Sequence, residues 1–417
     1  MRLPGRLARA TTVPACALYI GLSALTAGAQ SFLPPEPEGG VGRINVGPLN
    51  LTPAVLFSAG HDSNPNREVG GTASWETYVY PQLEGWLRAG NASIAAYGAS
   101  EFVSYSEMKG GTNWQVAGQA LWTGDRFQPF ISYMLRNTNA NPTGFEVGYK
   151  SRHIDGDLRA GIKVAFTPRL GVSGNVRRAT TGWDADAMYQ TSVLRQTLNR
   201  RSYGASLGLV WEATPLTTMR VEVDRGRDDF TYSPIRDSRA TTVQGSVSFS
   251  SPAIIQGGAS AGYRHFTAPQ SGAREFKGFL GSLALGHASL GGGYFGARLS
   301  RDLQFSYDVT LAYYLANTIG VTMIQPVAPA WDAQGFYTTT KMDYKQAGSG
   351  LTGPLTRVHE FGFATRRRIG RWSAVGVSAE RVHARGWNGW QAFRLVCFMT
   401  HGATSFRRMD RPIPFQR

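Results

Sequence analysis

Cysteine is almost missing: Cys16 and Cys397 are the two among 417 residues. That is too few, and too widely spaced, for the stapled framework of a small secreted domain. Beyond the N-terminal region no run of about 18 to 20 apolar residues occurs, which excludes a bundle of membrane-spanning helices. Charged residues are only 17% of the chain while aromatics reach 12%, the reverse of a disordered composition. Helical periodicity is missing as well.

The N-terminus has the build of a secretory signal. Arg2, Arg6 and Arg9 make a basic start, residues 12–26 are mostly apolar and small, and Ala27-Gly28-Ala29 supplies a small-x-small cleavage pattern. Residues 1–29 are therefore expected to be a signal peptide, with the mature chain beginning near Gln30. Cleavage removes three arginines and no carboxylate, so the net charge falls from +15 to +12, and Cys397 is left alone. For a basic exported protein the expected counter-charges are anionic lipid headgroups or anionic solutes, not nucleic acid.

Residues 30–49 form a Pro- and Gly-rich periplasmic lead-in (Pro34-Pro35-Glu36-Pro37, Gly39-Gly40). From Asn50 onward the period is two. Leu158, Ala160, Ile162 and Val164 alternate with Asp157, Arg159, Gly161 and Lys163. Met219, Val221 and Val223 alternate with Arg220, Glu222 and Asp224. Such alternation gives each strand an apolar face and a polar one.

Strands are predicted over 50–61, 74–88, 92–106, 113–123, 126–137, 152–166, 170–182, 198–213 and 217–229, then 238–250, 255–267, 276–288, 292–307, 312–326, 331–345, 356–369, 372–384 and 390–402. The connections alternate in length. Every second one is about two to four residues, as at Gly124-Asp125 and Thr214-Pro215-Leu216, while the others run from about four to fifteen. Short turns on one rim and longer loops on the other are the pattern of an outer-membrane barrel, with the short turns periplasmic. All ten tryptophans lie near a predicted strand end, as two interfacial aromatic girdles require. Closure follows from physics, because an unpaired backbone group in hydrocarbon costs several kcal/mol and a closed barrel has no edge.

The expected fold is therefore all-β: a transmembrane antiparallel up-and-down β-barrel of about 18 strands (16–18), with short periplasmic turns and longer extracellular loops. It is expected to occupy 50–402, followed by a tail over 403–417. A barrel this wide is not filled by its own wall, so it leaves an aqueous channel unless a loop folds in, and Asn137 to Ser151 and Trp183 to Thr197 are the longest candidates.

Alternation assigns Arg159, Lys163, Arg177, Arg220, Glu222, Arg264, Arg298, Arg366 and Arg394 to the inner wall, with Tyr78, Tyr80 and Glu101 beside them. Unlike charges on neighbouring strands either tie the wall together or make a polar, weakly anion-favouring conduit, and aromatic faces suit the C–H surfaces of sugars. Enzymatic motifs are missing: there is no G-x-S-x-G and no H-E-x-x-H, and Val358-His359-Glu360 lacks a second histidine. No catalytic residue, metal site or cofactor is expected.

The opening Val46-Gly47-Pro48-Leu49-Asn50-Leu51-Thr52-Pro53, followed by His61-Asp62-Ser63-Asn64, resembles the start of the β-barrel porin 2 family. Arg301-Asp302-Leu303-Gln304-Phe305-Ser306-Tyr307 and Tyr313-Tyr314-Leu315 resemble its later strands. His61 stands where the family has an aromatic, and the usual terminal phenylalanine of the last strand is missing. The resemblance implies an outer-membrane barrel that gives exopolysaccharide a passive exit route. It implies, as partners, outer-membrane lipid and lipopolysaccharide, the polysaccharide itself, a short periplasmic polysaccharide-export protein and the barrel-assembly machinery. The alternatives are a general diffusion or uptake porin for small anionic or sugar solutes, an outer-membrane hydrolase and a structural adhesion barrel.

Overall fold

The computed structural model describes residues 44–139, 151–189, 192–249, 255–269, 275–289, 292–307, 311, 313–345, 355–370, 372–386 and 389–402. The expected signal peptide, the start of the lead-in up to residue 43 and the C-terminal tail lie outside the described residues.

Among the described residues there are twenty-one strands. The first eight are β1 (Ile44–Val46), β2 (Leu49–Asp62), β3 (Ser74–Ala89), β4 (Ala92–Tyr105), β5 (Gly111–Trp122), β6 (Phe127–Thr138), β7 (His153–Ala165) and β8 (Leu170–Trp183). A small hairpin, β9 (Met188–Tyr189) and β10 (Ser192–Val193), leads into a single turn of helix, α1 (Leu194–Leu198). Then come β11 (Arg200–Thr214), β12 (Thr217–Phe230), β13 (Ser238–Phe249), β14 (Ile255–Thr267), β15 (Phe276–Ala288) and β16 (Tyr294–Phe305). The last five are β17 (Tyr313–Ala328), β18 (Trp331–Lys345), β19 (Leu355–Ile369), β20 (Ser373–Gly386) and β21 (Trp390–Gly402).

Each long strand pairs antiparallel with its neighbours in sequence, and β21 returns to β2 with Ala54 opposite Gly402 and Asp62 opposite Arg394. The ring is closed. β1 pairs only with the start of β2, so β2–β8 and β11–β21 make an 18-stranded barrel. The expected fold class is the observed one. On one rim the connections are two to five residues long; on the other they run from three, between β20 and β21, to sixteen, between β8 and β11. Gly90 and Gly370 serve the short turns with φ of +57° and +66°, where a side chain would be strained.

The outer face is apolar, as the alternation requires. Leu158, Ile162, Val176, Leu207, Leu209, Val221, Val223, Phe279 and Phe363 are all exposed on it. A band of this kind around the whole circumference far exceeds the roughly 300–600 Å² patch of a soluble monomer. In a bilayer the same side chains meet acyl tails, and closure pairs each strand of the ring with two neighbours. The chain is a membrane-spanning β-barrel.

The tryptophans divide. Trp75, Trp114, Trp122, Trp211 and Trp331 sit at outward positions near strand ends, and Trp372 is exposed in a short turn. Trp86, Trp183 and Trp390 instead point inward, so the two-girdle reading is corrected for these three. Nearness to a strand end does not fix parity, and one position's difference turns a side chain to the other face. Trp387 lies outside the described residues.

Candidate functional site

The inner wall carries a band of charge whose members compensate one another. Arg159 makes two bonds of 3.0 Å to Asp157 on its own strand, and Lys163 reaches over β8 to Glu212 at 2.6 Å. Arg177 lies 3.5 Å from Asp224 and Arg220 3.6 Å from Glu222. Towards the seam Arg366 bonds Asp332 at 3.2 Å, and Arg394 of β21 bonds Glu76 of β3 across β2. Arg298 donates to Thr338 at 3.3 Å, and Arg264 lies 5.9 Å over Phe266. All twelve residues nominated from the alternation occupy inward positions, including Tyr78, Tyr80 and Glu101 on β3 and β4.

An aromatic shelf stands on the β3–β4 wall. Tyr78 and Tyr80 lie nearly parallel with ring centres 5.9 Å apart, and the Tyr80 hydroxyl meets that of Tyr97 at 2.6 Å. Tyr80 and Trp86 pack on Ala95, Tyr97, Ala99 and Ala117. Pro81 lacks an N–H, and the β3–β4 ladder is interrupted between Val79–Phe102 and Gln82–Ala99, beside Tyr80 and Glu101.

A tongue from the extracellular rim folds into the lumen. Between β15 and β16 the pairing stops at Gly281–Arg301, although β14 and β15 remain paired up to Phe266–Phe276 and β16 and β17 up to Phe305–Tyr313. On the other side β18 stays paired with β17 to Lys345 but leaves β19 after Lys341–Arg357. The upper ends of β16, β17 and β18 thus part from both neighbours.

Alternation would turn Leu303, Tyr313 and Leu315 to lipid. Instead they are buried against Ala240, Phe266, Phe276 and Leu280 of the inner wall. The opposite face of the tongue, Tyr314 and Met342, is buried against Val358, Val382, Trp390 and Ala392 of β19–β21. Both faces are therefore dry, and the tongue stands inside the barrel.

Its tip reaches further round the wall. Phe305 meets Phe230 of β12 edge-on at 5.1 Å, and Arg200 of β11 lies 4.8 Å over the Phe305 ring. The buried Arg236, in the 3-10 turn Pro234–Arg236, donates to the Ser306 carbonyl at 2.5 Å and to that of Leu311 at 3.4 Å. Tyr307 joins Trp183, Ala187, Leu194, Leu198 and Phe230 in one cluster. The β8–β11 connection, one of the two loops nominated from the sequence, thus supplies part of the tongue's seat. Most of the other, residues 140–150, lies outside the described residues.

His153 and Asp155 are the nearest approach to hydrolytic chemistry. The imidazole lies on Trp183 with ring centres 4.4 Å apart; Nδ1 is 3.0 Å from the Ser151 carbonyl oxygen and Nε2 is 3.3 Å from Asp155. Asp155 also accepts from Arg136 and Thr181, each at 2.9 Å. The buried imidazole is thus held at the strand tops by the Ser151 carbonyl at Nδ1 and by stacking on Trp183, with Asp155 3.3 Å from Nε2.

No family model matches the chain, and no curated protein matches it. The resemblance to the β-barrel porin 2 family rests on the short segments quoted above. Among solved structures, the outer membrane protein OpdK of Pseudomonas aeruginosa aligns over 84% of this chain and 99% of its own, at 11% identity and a TM-score of 0.46. OccK3 (OpdO) of the same organism covers 84% and 96%, at 10% identity and a TM-score of 0.45. A bacterial polysaccharide outer membrane secretin covers 84% and 97%, at 10% identity and a TM-score of 0.34.

Proposed function

We propose that this chain is an outer-membrane, porin-like barrel through which a hydrophilic polymer, an exopolysaccharide, leaves the cell without covalent chemistry. On this reading a cleaved signal peptide takes it to the periplasm, the barrel-assembly machinery inserts it, and a short periplasmic export protein delivers the polymer. The observation that carries the reading is the tongue. A barrel for free diffusion of small solutes needs its lumen open at all times, whereas a route for a long polymer must be stoppered when nothing threads it. The ion-paired wall suits a neutral or weakly charged chain, because the fields of Arg159, Arg177, Arg220, Arg366 and Arg394 are partly cancelled by carboxylates at short range. Tyr80 and Trp86, the half-buried members of the aromatic shelf, offer ring surface to sugar C–H groups, while Tyr78 and Tyr97 are buried beneath them.

A second reading, an uptake porin for small anionic or sugar solutes, is favoured by the excess of arginine on the inner wall. Deleting the gene and measuring surface polysaccharide separates the two: loss of polymer is expected, and an unchanged amount overturns export.

A further inference from the structure

The outward face at the extracellular ends of β18, β19 and β20 carries a row of like charges. Lys341 stands directly opposite Arg357, and Arg357 directly opposite Arg385. All three are exposed. One step closer to the membrane centre His359 faces His383, with Arg381 below them. The histidines are tethered: the Tyr337 hydroxyl lies 2.9 Å from His359 Nδ1, and Arg385 Nε donates to His383 Nε2 at 3.2 Å. Among the described residues of these strands this face carries a single carboxylate, Asp343.

Like charges directly opposite one another in a sheet are destabilising. On other strands of the same rim Lys277 meets Glu275 at 2.8 Å and Arg227 meets Asp229. The opposite end of the same three strands is different. Its outward cation among the described residues is Arg367, set 5.8 Å over Trp331 as an interfacial anchor. The charge is thus gathered at one membrane interface, with Arg381 level with Tyr337 and Phe361 in the first row of the apolar band that continues to Phe363.

The geometry points to a binding site for a phosphorylated glycolipid of the outer leaflet, its phosphates on Lys341, Arg357 and Arg385 and its acyl chains along Phe361 and Phe363. Guanidinium groups match phosphate oxygens in pairs, and the apolar band directly below calls for an anion that carries acyl chains. This assignment rests on the outer-membrane reading, and it does not depend on what passes through the lumen.

The test uses the purified full-length barrel in detergent, with lipopolysaccharide as the probe and native mass spectrometry as the readout. Wild type is expected to retain the glycolipid, and the variant K341Q/R357Q/R385Q to retain about tenfold less at equal probe concentration. R367Q, at the other interface, is expected to bind as wild type does. Heat-modifiable migration on gels checks that each variant is folded. Should the triple variant misfold, dephosphorylated lipopolysaccharide offered to wild type serves instead, with the same loss expected. Equal retention by wild type and the folded triple variant, or equal binding of the dephosphorylated probe, overturns the site. Displacement of the glycolipid by millimolar inorganic phosphate would make it an anion site without lipid specificity, and would also overturn it. A strain that still exports polymer while its barrel fails these binding tests sinks the lipid site alone. A strain without export whose barrel passes them sinks the export reading alone.

Discussion

Tyr307 meets Trp183 edge-on, with ring centres 5.6 Å apart and planes at 84°. The two residues come from distant parts of the ring: Trp183 ends β8, while Tyr307 follows β16, six strands further along. Their contact fastens the tip of the tongue to a distant part of the wall. Fixing it covalently should hold the stopper shut. In a C397S background, Y307C/W183C treated with a bifunctional thiol reagent is expected to lose polymer export. Each single-cysteine variant treated in the same way should keep it. Export that survives complete cross-linking, measured as surface polysaccharide, would show that polymer does not pass the tongue.

The seat of the tongue can be loosened as well as locked. Phe266 is 1% exposed and touches Tyr313 edge-on at 5.2 Å and Phe305 at 6.0 Å. Phe266→Ala removes that surface and leaves a cavity, which in a packed core costs about 3–5 kcal/mol. Part of this loss should appear as looser tongue docking. Planar-bilayer recordings are expected to show more frequent or larger openings than wild type; an unaltered current record would mean the tongue is not the gate.

The barrel itself was legible in the sequence, and the tongue was not. A period of two names both faces of a strand, and the inward arginines and the closing pair β2–β21 followed from it together with the turn lengths. But Leu303 and Phe305, or Tyr313 and Leu315, alternate just as lipid-facing residues do, and local sequence cannot say whether an apolar face meets acyl tails or another stretch of wall. A signal was present nonetheless. Tyr313-Tyr314-Leu315 is apolar at three successive positions, so both faces of β17 are greasy at its upper end, which a strand with lipid on one side and water on the other has no use for. The inward Trp183 and Trp390 belong to the same apolar mouth.

The seam of the ring gives a stability prediction. Arg394 and Glu76 are both buried and joined across β2. Glu76→Gln takes the carboxylate from a buried guanidinium, and disrupting one partner of such a pair costs about 3–5 kcal/mol. Removing both charges in E76Q/R394M should recover much of the loss, because two well-packed neutral side chains leave no unmatched charge. Tryptophan fluorescence during urea unfolding measures this double-mutant cycle. Equal stability of wild type and E76Q would mean the pair does not hold the seam.

Ion selectivity tests whether the paired charges cancel as seen by a passing solute. Asp224 is buried and lies 3.5 Å from Arg177, which keeps more contact with the lumen. Asp224→Asn preserves shape and hydrogen bonding capacity while removing one negative charge, so Arg177 then acts on the lumen with its full field. At about 8 Å in water a unit charge is worth about 0.5 kcal/mol to a monovalent ion, roughly a twofold change in preference. The measurement needs current past the tongue, so it is made in the Phe266→Ala background, where the tongue's seat is loosened. In a potassium chloride gradient the reversal potential of the asparagine variant is expected to move towards the chloride equilibrium value, and more so at low salt, where screening is weaker. Movement towards the potassium value, or none at low salt, would mean that the Arg177 charge does not face the permeation path.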